Sequence, residues 1–68
     1  MSAMINVRLL EPGTRVALAD GSTVEIVANP KDGIWVFGRY LSSPPDASRV
    51  GTEEMIFAQD VVEISAAP

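Results

Sequence analysis

The chain has 68 residues, with nine acidic and five basic side chains, a formal net charge of −4, no cysteine and no histidine. So short a chain forms one domain, because it buries only about 60% of the surface it exposes when unfolded and cannot divide a core in two. The missing residue types exclude disulfides, thiolate zinc sites and the commonest general base, and the acidic balance sets the average field against phosphate backbones.

An apolar share of 47% lies in the globular range, so a packed core is expected and general disorder is not. Without staples, a domain this small fits a reducing cytoplasm better than secretion. Met1 to Asn6 carries neither a basic leader nor a long apolar region, and no run reaches the roughly 18 apolar residues of a membrane span. A single domain over 1–68 is expected, with its body at about 4–64 and a frayed tail at 65–68.

In chain order, Met4 to Leu10 alternates Ile5, Val7 and Leu9 against Asn6 and Arg8, which predicts a strand. Glu11-Pro12-Gly13 breaks it, and Thr14 to Leu18 resumes with Val16 and Leu18 against Arg15 and Ala17. Asp20-Gly21 is a hairpin dipeptide, since both positions tolerate positive φ. Thr23 to Ala28 returns, with Val24, Ile26 and Ala28 opposite Glu25 and with Val27 at the rim.

Asn29-Pro30-Lys31-Asp32-Gly33 concentrates turn formers, and it feeds Ile34 to Leu41, the richest β-branched and aromatic run in the chain. That run is expected to be the central strand. Ser42 to Thr52, with two prolines, a glycine and small polar residues, is the one long loop. Glu53 to Phe57 is strand-like, Ala58-Gln59-Asp60 has room for a single 3₁₀ turn, and Val61 to Ile64 closes the series. The sum is an all-β domain of five or six short strands, essentially without helix, whose core is Val7, Leu9, Val16, Leu18, Val24, Ile26, Ile34, Val36, Tyr40, Ile56, Val62 and Ile64.

The hairpin over Asp20-Gly21, the long strand ending in Gly38-Arg39-Tyr40, and the run Ile56 to Ile64 resemble a small SH3-like barrel, in which a 3₁₀ turn precedes the last strand. The resemblance covers Pro12 to Ile64. Gly13-Thr14-Arg15-Val16 and Asp20 to Val27 look similar to the KOW and Tudor-like branches, which implies binding of RNA, ribosomes or modified peptides rather than catalysis.

The residues themselves also argue against chemistry. Glu53 and Glu54 are adjacent, so on a strand they point to opposite faces and cannot act as a catalytic pair. Asp20 and Asp32 each precede a glycine and are explained by turn formation, and Asp60 by local capping. No calcium-loop spacing and no phosphate-cradling glycine cluster occurs, so neither metal nor cofactor is expected. Ser42-Ser43-Pro44-Pro45 reads as a stiff spacer.

A non-catalytic protein-binding or self-associating module is therefore expected. The alternative is a small barrel that binds RNA or single-stranded nucleic acid through Arg15, Arg39, Trp35 and Tyr40. The candidate binding residues are Trp35, Phe37, Arg39 and Leu41, which share one phase of the central strand, together with Arg15. Arg39 is too costly to bury unpaired, so unbroken alternation carries Trp35 and Phe37 outward with it and Gly38 inward. A bulge at Gly38 would instead bury both rings.

Overall fold

A computed structural model of the protein describes residues 6–66. Its elements are a 3₁₀ turn η1 (Val7–Leu9), strands β1 (Arg15–Leu18), β2 (Thr23–Ala28) and β3 (Trp35–Ser42), a 3₁₀ turn η2 (Ala47–Arg49), strand β4 (Glu53–Phe57), a 3₁₀ turn η3 (Ala58–Asp60) and strand β5 (Val61–Ala66). The protein is all-β, one antiparallel sheet in the order β4-β3-β2-β1-β5. Among the described residues, β4 and β5 are not paired to each other, so the sheet is open. No helix among them is long and apolar enough to cross a membrane.

Local chemistry sets the turns. The Asp20 carboxylate accepts from the Ser22 amide at 2.9 Å and Gly21 takes φ +90°, which closes the β1–β2 hairpin. Between β2 and β3, the Asn29 and Asp32 side chains accept from the Lys31 and Ile34 amides, each at 2.8 Å, and Gly33 sits at φ +80°. Lys31 also lies in the left-handed region, at φ 64°, held there by the Asn29 bond.

Val16, Leu18, Val24, Ile26, Val36, Tyr40, Ile56 and Val61 are buried together with Val7 and Leu10 in one cluster. Those residues come from every strand and from η1. Among the described residues no α-helix covers the sheet, so the strands and η1 bury this set against one another. Ser22 and Ser43 are buried beside this core and satisfy each other, hydroxyl to hydroxyl, at 3.1 Å. The long loop expected from Ser42 is thereby tied at its start to the first hairpin.

The N-terminal strand expected over Met4 to Leu10 is corrected: Val7–Leu9 is a 3₁₀ turn, and Met4 and Ile5 lie outside the described residues. A period of three places Val7 and Leu10 on one side, so Leu10 is buried and Leu9, expected in the core, is exposed. The Asn29 side chain fixes this turn, donating to the Val7 and Leu10 carbonyls at 2.9 and 2.8 Å.

Three more core expectations are corrected. Ile34 precedes β3 and is exposed at the turn, and Val62 and Ile64 are exposed on β5 while Val61 is buried. The β1–β5 register explains the last strand: Leu18 pairs with Val61 and Ala17 with Glu63, leaving Val62 as an extra residue in a bulge. Ile64 does pair with the buried Val16, but on an edge strand with nothing beyond it. Ser65 and Ala66, expected to fray, belong to β5, whereas 67 and 68 lie outside the described residues. Ala28, placed with Val24 and Ile26, is exposed, because β2 carries its own bulge between Ile26 and Ala28.

Candidate interaction face on strands β3 and β4

Strand β3 keeps unbroken alternation. Val36, Gly38 and Tyr40 are buried, Phe37 and Arg39 are exposed, and Trp35 and Leu41 are half-buried. The bulge that could have reversed the phase lies instead on β2, at Val27, where Ile26 pairs with Gly38 and Ala28 with Phe37. The rings therefore stay outside. Trp35 and Phe37 meet edge to face, with centroids 4.8 Å apart and planes at 84°, a geometry that favours the pair beyond its buried area.

The neighbouring strand supplies residues that single-strand reasoning missed. Trp35 pairs with Phe57, Phe37 with Met55 and Arg39 with Glu53, so the odd positions of β4 extend the same outer face. Phe37 is 41%, Met55 47% and Phe57 46% exposed, and Ile34, at 61%, borders them at the end of the strand. A shallow hollow of about 490 Å³, lined by Gly33, Ile34, Phe57, Ala58 and Gln59, continues the apolar surface past the strand ends. The odd–even pattern of Glu53, Met55 and Phe57 was visible in the sequence, but its register against β3 was not.

A charged row bounds this face. Arg15 pairs with Glu25, Glu25 with Arg39 and Arg39 with Glu53, so signs alternate across four strands. The Arg39 guanidinium donates to the Glu53 carboxylate at 2.7 Å, and that bond holds the guanidinium's pKa above its ordinary value. The structure thus brings Trp35, Phe37 and Arg39 together as expected. Arg15 is exposed two strands from Arg39, and Leu41 lies half-buried beyond the charged row; neither pairs in register with a residue of the aromatic cluster.

The other charged cluster serves the fold. Arg49 of η2 lies over the Tyr40 ring, 5.4 Å from its centroid, donates to the Tyr40 hydroxyl at 3.4 Å, and stands 3.9 and 4.0 Å from the Asp20 and Asp46 carboxylates. Asp46 caps η2 by accepting from the Ser48 amide and hydroxyl, with the hydroxyl bond the main reason its pKa is lowered. The Ser22 amide is the main cause of the same shift in Asp20. Burial pushes the Tyr40 phenol up while Arg49 pulls it down. The long loop is thus tied back onto β3 and the first hairpin.

A hollow of about 190 Å³ remains among Leu18, Ala19, Asp20, Tyr40, Arg49 and Asp60. Asp60 does not cap η3, which has no side-chain cap; its backbone carbonyl accepts from Ala19 instead. Glu54 accepts from the Thr52 hydroxyl at 3.0 Å, on the other phase of β4 from Glu53. No cluster of three potential metal ligands occurs among the described residues. No family model, curated protein sequence or solved structure matches this chain.

Proposed function

We infer that this chain is a non-catalytic protein-binding module on a small SH3-like barrel, and that the outer face of β3 and β4 docks the partner. The barrel reading is supported by the strand order, by the 3₁₀ turn immediately before the last strand and by a core drawn from all five strands. One observation carries the function: the half-buried Trp35 and the exposed Phe37, Met55 and Phe57 lie side by side on a surface that no element among the described residues covers. Aromatic rings and methionine, rimmed by paired charges, are the composition of interface centres.

The charges favour protein over nucleic acid. Phosphate recognition needs free cations, but Arg39 is already held by Glu53, and Glu25 pairs in register with both Arg39 and Arg15. Approach of a phosphate backbone would oppose two carboxylates as well as the net charge of −4.

The test places a photo-crosslinking residue at Phe37 and, as a control, at Lys31. A discrete crosslinked protein from Phe37 alone, abolished by Phe57→Ser, is the expected result. Equal products from both positions, or none from Phe37, overturn the reading. Quenching of the single Trp by mixed oligonucleotides at low salt would favour the nucleic acid alternative instead.

A further inference from the structure

We propose that the free edge of β4 pairs antiparallel with β4 of a second copy, about a two-fold axis at Met55, joining two sheets into one and doubling the aromatic face. This goes beyond the binding function above and uses a different surface, the backbone edge of β4 rather than its outward side chains.

Among the described residues β4 pairs only with β3, and its hydrogen-bond phase says which groups point to the other side. Ala58 donates to the Ile34 carbonyl at 2.8 Å and Tyr40 to the Thr52 carbonyl at 3.0 Å, so even-numbered residues of β4 bond β3. Antiparallel ladders alternate, so the backbone groups of Glu53, Met55 and Phe57 point to the free side. The β3–β4 register runs without a shift from Trp35–Phe57 to Arg39–Glu53, and Met55-Ile56-Phe57 contains no charge and no proline. Edges of this kind are open to pairing.

The opposite edge of the sheet differs. β5 meets β1 with two register shifts, between Arg15 and Val16 and between Ala17 and Leu18. Bulges of that kind twist an edge away from further strands. Symmetric pairing is therefore expected at β4, not head-to-tail growth from β4 to β5.

Charge selects the register. With Met55 opposite Met55 of the second copy, Glu53 meets Phe57 and Glu54 meets Ile56, so no like charges oppose. Shifting the axis to Glu54 or Glu53 sets a carboxylate against its own copy, and shifting it toward Ile56 shortens the ladder. The Met55 register is thus the longest one free of repulsion. Its two-fold axis stands perpendicular to the sheet, so both outer faces lie on one side, and Met55 and Phe57 of each copy pack across the join while Trp35 and Phe37 stay available.

A single five-residue strand pair is smaller than a standard interface of about 1,600 Å², so the dimer is expected to depend on concentration. With −4 on each copy, added salt should strengthen it by screening repulsion.

The absence of cysteine allows a register test on the purified chain. Residues opposed in a hydrogen-bonded antiparallel pair have Cα atoms about 5.5 Å apart, within disulfide range. Under mild oxidation Met55→Cys should give a covalent dimer, while Glu53→Cys and Phe57→Cys alone should not, since each would sit about 14 Å from its own copy. Mixed in equal amounts, those two should crosslink. As a second measurement, Met55→Pro removes an amide that β3 does not use and should give a folded monomer.

Equal crosslinking at all three positions, no crosslink at Met55→Cys, or a Met55→Pro protein that associates as the parent does overturns the proposal. Retention of a Phe37-crosslinked protein partner when Met55→Cys fails to crosslink means that only the dimer is wrong. Loss of that partner with the register pattern intact means that only the binding function is wrong.

Discussion

Gly38 sets the inner contour of β3, and Gly38→Ala tests that directly. A Cβ built there would overlap Val24 Cγ1 and stand 3.2 Å from Ile56 Cγ1, both in the core cluster. Val24 is β-branched and fully buried, with χ1 restricted, so it cannot swing aside as a long side chain would. Overpacking of this kind costs about 1–3 kcal/mol. Replacing glycine by alanine also stabilises by about 0.4–1 kcal/mol by restricting the unfolded chain, which leaves a net loss of about 1.3 kcal/mol between the middles of the two ranges.

A domain of this size has roughly 3–10 kcal/mol in total. The expected fall in Tm is therefore about 5–10 °C, at roughly 4–8 °C per kcal/mol. Thermal denaturation followed by circular dichroism measures it. In a Val24→Ala background, which removes the overlapping methyl, the added cost of Gly38→Ala should largely vanish. A Gly38→Ala protein as stable as the parent, or a cost unchanged by Val24→Ala, would refute the inward placement of Gly38 and with it the outward placement of Trp35 and Phe37.

Asn29→Ala leaves the Val7 and Leu10 carbonyls without their donor, so it should cost about 1–3 kcal/mol and raise proteolytic cleavage near η1 more than elsewhere. Ile26→Ala should cost about 2–5 kcal/mol, read as a lower midpoint in urea with the slope unchanged. Phe37→Ser, on the exposed face, should move Tm by only a few degrees while abolishing partner capture; a collapse of the fold would instead make Phe37 a core residue. On acidification, Asp20 and Asp46 should lose stabilising bonds. Their carboxyl pKa values lie below the ordinary 3.8 in the folded state, so the contribution is full above about pH 4 and fades as pH falls through the lowered values. Asp20→Ala with Asp46→Ala should flatten the Tm profile below pH 4, and an unchanged acid slope would count against those two turns as its source.

What the sequence alone determined was whatever depends on near neighbours. Alternation placed the phase of β3, because Arg39 could not be buried unpaired and a period of two carried Trp35 and Phe37 out with it. Asp20-Gly21 and Asp32-Gly33 marked turns through short-range bonding, and 58–60 was too short for anything but a turn or one 3₁₀ turn before β5. At the N-terminus local pattern misled, since a period of two and a period of three both fit Val7-Arg8-Leu9-Leu10. Only the reach of Asn29, 19 to 22 residues away, decides for the 3₁₀ turn.

The tertiary structure decided everything that depends on register. Nothing local to Val61-Val62-Glu63-Ile64 says which valine faces Leu18, because a bulge costs little at an edge and its position is set by the partner strand. Met55 and Phe57 became part of the aromatic face only when β4 was laid against β3, and Glu53 became the partner of Arg39 by the same step. The hydrophobic pattern fixes which residues want to be covered. Pairing across long stretches of chain decides which neighbours cover them, and which large apolar side chains of β3 and β4 are left facing water.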